Sequence, residues 1–224
     1  MTREQIETLE KAVEQQKERN TQYRVYTEKD CFVYNGRDVF SVLDYWRFRF
    51  SQLLGQQESI AEFLVGQALD LQKAENVNYW TAYDLSYRGK RIEVKATCYI
   101  HPWDKRISRV RSFSIAPSNN RYWQELPGQD SGARMARQSE VYVFCLNTDQ
   151  DIEHPNPLMI DNWEFYVVPT YRINEYCQKA GNPEQKRITL AVVRRLAKQS
   201  CLYVELRDSI EKAIVESDQH YLGE

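Results

Sequence analysis

The sequence predicts an α/β protein, one domain with an N-terminal helical extension, on three observations. Apolar residues recur at helical spacing through about residue 71, and after Asn76 the period changes to the alternation of strands. The C-terminal third then alternates helix-like and strand-like segments, the order of a layered α/β protein. No repeat, low-complexity tract or Pro/Gly/Ser-rich hinge divides the 224 residues. Residues 1–224 are therefore expected to form a single domain, with 1–40 as the extension, 41–170 as the core and 171–224 as a C-terminal α/β elaboration.

Taken in order, residues 1–19 carry Ile6, Leu9 and Val13 on one helical stripe. Tyr23 to Phe40 alternates enough to form a hairpin or loosely paired strands around Asn35-Gly36. Ser41 followed by Asp44, and Ser59 followed by Glu62, carry the capping-box spacing that opens two helices. The first would turn Leu43, Trp46, Phe50 and Leu53 inward, and the second Ile60, Phe63, Leu64, Ala68 and Leu71. Strands are expected over Tyr79–Tyr87 and Lys90–Ile100, joined at Arg88-Gly89, and near Val110–Ile115. A polar stretch, Ser118–Gly132, suits turns and a short helix. Glu140–Leu146 and Trp163–Val168 read as short buried strands, Ile188–Leu196 as a helix, and Leu202–Leu206 as a strand. A last helix over Ile210–Val215 follows a capping box at Asp208 and Glu211.

Composition excludes several classes. With 42% hydrophobic and 28% charged residues the chain is neither disordered nor fibrous. No apolar run approaches the roughly 18 residues of a membrane helix. The charged N-terminus is unlike a secretory signal, so the expected compartment is the cytoplasm, with no membrane partner. Five scattered cysteines and three histidines lack zinc or redox spacing and suggest reduced, mostly buried thiols. The net charge of −2 argues against coating nucleic acid by bulk charge. Yet residues 84–138 hold eleven Lys and Arg against five acids, while 141–168 hold five acids and no base. That asymmetry suggests either one face built for a polyanion or surface charge clustered by chance.

The chemistry concentrates in the Arg88-Gly89 hairpin. Folded there, Tyr87 faces Lys90, Leu85 faces Ile92, and Asp84 lies opposite Glu93. Alternation puts Tyr83, Leu85, Ile92 and Val94 on one apolar face, and Asp84, Ser86, Glu93 and Lys95 on the other. Two carboxylates across a ladder repel, a poor arrangement for stability alone. A divalent cation between them makes it sensible, since Mg²⁺ takes one or two carboxylates plus waters and phosphate oxygens. Lys95 could then hold a water or a phosphate oxygen, the arrangement for metal-assisted phosphodiester hydrolysis. The competing reading is a surface hairpin in which Lys95 only neutralises two acids. Glu-x-Lys by itself says little, because Glu184-Gln185-Lys186 repeats it in a polar turn.

A helix bearing a Glu, followed by Asp-x(8)-Glu-Val-Lys on neighbouring strands, resembles the PD-(D/E)xK superfamily of restriction-endonuclease-like nucleases. The stretches FSVLDYWRFRFSQLL, IAEFLVGQAL, YDLSYRGKRIEVKATCYIHPW, SFSIAPS, RQSEVYVFCL and WEFYVVPT resemble an uncharacterised bacterial family within it, over about residues 39–170. The resemblance implies a restriction-endonuclease-like core, a mixed central sheet with flanking helices, and a mechanism without a named substrate. It implies that Asp84 and Glu93, helped by the Val94 carbonyl, bind Mg²⁺ or Mn²⁺, and that Lys95 orients or activates the attacking water and stabilises charge on the phosphate. Glu62 matches the extra acid that many members use toward the metal, or is only the capping partner of Ser59. Tyr83 stands where the superfamily name has Pro, and Ala96 where a small hydroxyl residue often follows the Lys.

Downstream, Trp103, Lys105, Arg106, Arg109 and Arg111 could grip a nucleic-acid backbone, with Trp103 stacking on a base, or form an exposed loop. His101 reads as a loop histidine, and Gln138 only loosely matches a polar position near the metal site. The expected function is a Mg²⁺-dependent deoxyribonuclease in a bacterial restriction or defence setting, with DNA as partner. The alternative is a catalytically silent nuclease-like module that binds nucleic acid or a protein. By fold-level analogy alone the resemblance also admits a homodimer. No nucleophile elbow, phosphate loop or dinucleotide fingerprint points to another enzyme class.

Overall fold

Two tight turns organise the hairpins of this protein. Asn35 and Gly36 (φ +50° and +72°), and Arg88 and Gly89 (φ +50° and +76°), all adopt left-handed backbone. Paired positive φ values give a two-residue turn whose twist matches that of the flanking strands. The computed structural model describes residues 26–71, 83–101, 106–108, 111–118 and 135–222. The helix expected over 1–19, the strand start at Tyr79, most of the polar stretch after Ser118, and Trp103, Lys105 and Arg109 lie outside them.

The described residues divide into two compact units, one of residues 26–51 and the other of the described residues from 52 onward. In the first unit β1 (Cys31–Tyr34) pairs antiparallel with β2 (Arg37–Ser41), as the Asn35-Gly36 signal predicts. Helix α1 (Val42–Arg49) opens on the expected capping box. The Asp44 N–H donates to Ser41 Oγ at 3.1 Å, and the Ser41 N–H donates to Asp44 Oδ2 at 3.0 Å. The expected inward face is corrected: α1 buries no residue fully, Phe50 is its C-cap, and Leu53 lies beyond it.

The second unit holds the main sheet. Helix α2 (Gln57–Ala68) is capped by Gln56 without a side-chain bond, so Ser59 lies inside the helix and is not its cap. Strands β3 (Leu85–Tyr87) and β4 (Lys90–Cys98) pair antiparallel with Leu85 opposite Ile92 and Tyr87 opposite Lys90, the expected register. The third strand, β5 (Ser112–Ser114), leaves this sheet. Strand β6 (Val141–Asn147) runs parallel to β4, and β7 (Trp163–Pro169) antiparallel to β6, giving the order β3-β4-β6-β7. The protein is thus α/β, with a mixed sheet and flanking helices.

The C-terminal third departs most from expectation. Helix α3 (Thr170–Lys179) was unforeseen in a polar segment whose inward residues are Thr170, Ile173 and Cys177. The helix expected over Ile188–Leu196 splits into β8 (Arg187–Thr189), which pairs with β5, and α4 (Leu190–Ala197). The strand expected over Leu202–Leu206 is a 3-10 turn, Tyr203–Glu205, because the Leu202 N–H turns back to Glu205 Oε2 at 2.9 Å. Only Cys201 bridges Phe165 of β7. Helix α5 (Leu206–Leu222) starts before Asp208. Glu211 therefore caps nothing; it accepts from the Tyr87 hydroxyl at 2.6 Å and pairs with Arg88 at 3.0 Å.

Alternation along the strands divides the core. Leu85, Ile92, Val94, Val143, Cys145 and Phe165 face α2 and α5. Tyr142, Phe144, Leu146, Tyr166 and Val168 face α3, α4, Phe113 and Ile115. All the described cysteines are free, and Cys98, Cys145, Cys177 and Cys201 are buried, leaving only Cys31 exposed. Among the described residues, no helix is long and apolar enough to cross a membrane.

Candidate active site

The site begins where β3 stops pairing. Strand β3 is only three residues long, so it matches β4 no further than Leu85–Ile92. Beyond that pair the N–H of Val94 would lack a partner from β3, and an unpaired backbone donor is costly when buried. The Asp84 side chain supplies the partner: Oδ2 accepts from the Val94 N–H at 2.7 Å, while the Asp84 N–H donates to the Ile92 carbonyl at 3.1 Å. This exchange turns the Asp84 carboxylate along β4 toward Lys95.

Lys95 joins the two acids. Its Nζ lies 2.7 Å from Glu93 Oε1 and 3.4 Å from Asp84 Oδ2. The side chains of all three are only 16–23% exposed, so the cluster is recessed. Ser139, just ahead of β6, donates from Oγ to Glu93 Oε2 at 3.4 Å. A second clamp fixes the parallel register beside them. Glu140 accepts from the Arg91 N–H at 2.7 Å and from its guanidinium at 2.5 Å, and the Glu140 N–H returns to the Arg91 carbonyl at 3.0 Å. That clamp immediately precedes the Ile92–Val141 pair and so places Glu93 beside Tyr142 and Lys95 beside Phe144.

Electrostatics add Glu62. It is half-buried on α2, and with no cap at Ser59 its carboxyl has no helix-capping duty. Burial, then the nearby Asp84 carboxylate, push the Glu62 carboxyl up to about 7, with Glu58 and Glu93 adding to the crowding and Lys95 opposing it. Burial and Asp84 also raise Glu93, against Lys95 and Ser139, which favour its charged form. Burial disfavours the ammonium of Lys95, but Asp84 and Glu93 outweigh it and the amine is held charged well above its ordinary range. Two of the three carboxylates, Glu62 and Glu93, therefore resist ionising, first because they are buried and then because Asp84 lies near.

The donor chemistry fits a hard divalent cation, which takes carboxylate oxygens. As placed, no group of three or more His, Cys, Asp or Glu side chains among the described residues is gathered closely enough to hold one. The Lys95 amine stands between Asp84 and Glu93 instead.

The structure thus brings together Asp84, Glu93, Val94 and Lys95, with Glu62 within electrostatic reach. Of the described downstream basic residues, Arg111 is engaged elsewhere. Arg111 lies 3.7 Å over the Tyr99 ring and donates to the Ser108 carbonyl at 3.0 Å, an internal strut. Arg106 is exposed, and Trp103, Lys105 and Arg109 fall outside the described residues. His101 Nδ1 lies 3.4 Å from the Cys98 thiol, and Gln138 donates to the carbonyls of Ser118 and Ala136. Sequence reasoning missed Ser139 and Tyr142. Both flank Glu93, but only the parallel β4–β6 register reveals it. No protein-family model matches the chain, and no curated protein or solved structure matches it significantly.

Proposed function

We propose that this protein is a metal-dependent nuclease with a restriction-endonuclease-like core, hydrolysing phosphodiester bonds in DNA. The observation that carries the reading is the meeting of Asp84, Glu93 and Lys95 where β3 stops pairing with β4, with the half-buried Glu62 within electrostatic reach. Asp84 and Glu93, with the Val94 carbonyl and Glu62, would hold Mg²⁺ or Mn²⁺. When bound, the cation supplies a polarised phosphoryl oxygen and a more acidic water. Lys95 is the chain's own contribution to the reacting phosphate. Once its acids turn to a cation, its amine can orient the attacking water and meet negative charge on the phosphate. A bacterial restriction or defence setting is the context this reading expects.

Purified protein incubated with plasmid and single-stranded DNA in Mg²⁺ or Mn²⁺, beside Lys95→Ala, tests the proposal. Cleavage by the wild type that is lost in the variant is expected. Equal products from both proteins, or none from either, would refute catalysis.

One observation favours a second reading, a catalytically silent module that binds nucleic acid or a protein. The Lys95 amine already satisfies both carboxylates without a cation. Titration calorimetry separates the readings: the nuclease takes up Mn²⁺ and loses that uptake in Asp84→Asn, whereas the silent module shows no such site.

A further inference from the structure

Three tyrosines are buried among the described residues: Tyr87, Tyr142 and Tyr166. A buried phenol normally finds a hydrogen-bond partner, because leaving its hydroxyl unpaired costs free energy. Tyr87 donates to Glu211, and Tyr166 donates to Glu164. Tyr142 is only 3% exposed, yet its hydroxyl makes no hydrogen bond among the described residues. Nor is its oxygen among the sealed, unpaired atoms, which belong to Gln57, Arg111, Asn147, Thr170 and Ser217. The ring is thus locked in the core while the oxygen retains access to water.

Its position is set by the sheet. Tyr142 pairs with Glu93 across the parallel β4–β6 ladder, so both side chains leave the same face about 5 Å apart. The ring is stacked on Phe144 (centroids 5.7 Å apart, planes at 26°) and lies in the core beneath α3 and α4. Glu93 is already engaged by Lys95 and Ser139. A phenol donor fixed beside Glu93 suits an acceptor that enters with the substrate.

We infer that the Tyr142 hydroxyl is a further substrate-binding group of this site, donating to a non-bridging oxygen of the phosphate being cleaved. The inference rests on the nuclease reading and deepens it. A phenol donates to an anionic phosphate oxygen without bringing a charge of its own, and a hydrogen bond to a charged acceptor is among the stronger kinds.

Tyr142→Phe removes the hydroxyl and keeps the ring. The test compares wild type and variant in single-turnover cleavage of a fluorescein-labelled DNA duplex across a Mn²⁺ series, with thermal melting alongside. The expected result is at least about a tenfold slower cleavage by the variant at saturating Mn²⁺, with unchanged melting. Wild-type cleavage with the variant within twofold would overturn this inference and leave the nuclease reading standing. A loss that disappears at high Mn²⁺ would also overturn it, because the hydroxyl would then serve Glu93 rather than the phosphate. A wild type that cleaves nothing would remove the nuclease reading and this inference with it.

Discussion

Glu62 offers a test that needs no substrate. Its carboxyl is pushed from an ordinary 4.5 to about 7 by burial and by Asp84. A raised carboxyl pKa means that the folded chain holds a proton that the unfolded chain has released. Stability therefore falls as pH rises from 4.5 through about 7, and the full penalty stands above that range. At full burial such a shift corresponds to about 3 kcal/mol, and partial exposure reduces it to roughly 1–2 kcal/mol. Glu62→Gln removes the ionisation and should stabilise the protein by that roughly 1–2 kcal/mol at pH 8, with little effect at pH 4.5. For a chain of this size the gain amounts to about 3–6 °C in melting temperature. Urea or thermal melts of both proteins at the two pH values measure it. An equal gain at both pH values, or a loss at pH 8, would show that the three carboxylates do not crowd one another.

Other perturbations address neighbouring parts of the account. Lys95→Met leaves Asp84 and Glu93 without their shared cation, and should destabilise by about 1–3 kcal/mol at pH 8 and less at pH 5, read by urea melts. Ile92→Ala opens a cavity beneath α2 at a fully buried position, and should cost about 2–5 kcal/mol by the same measurement. Gly89→Ala meets no atom within 4 Å but must hold φ +76°, so it should cost about 1 kcal/mol and leave any cleavage intact.

The sequence carried the hairpin clearly because local chemistry decides it. Arg88-Gly89 allows one tight turn, and one face of the flanking strands must be buried, so a slipped register would expose Leu85 and Ile92. The same logic made the Ser41–Asp44 cap legible. Ser59–Glu62 has the same spacing but a helix that already runs from Gln57, and nothing local marks the earlier start. Helix α3 was hidden because its inward residues are few and Pro169 sits at its cap. Leu202–Leu206 alternates like a strand, but Leu202 and Val204 end up exposed while Leu206 is buried at the start of α5. Strand β6 is buried on both faces, so its sequence carries no alternation to show that Tyr142 shares a face with Glu93. Asp84, Glu93 and Lys95 could be singled out within one hairpin. Ser139 and Tyr142 needed the long-range parallel pairing.

The central claim concerns a cation held by the acids at the end of β3. Crystals soaked in Mn²⁺ and measured at the manganese edge test it most directly. An anomalous peak between the Asp84 and Glu93 carboxylates, with the Lys95 amine turned aside, is the predicted result. Lys95 still bridging both acids at saturating Mn²⁺, with no peak beside them, would contradict it.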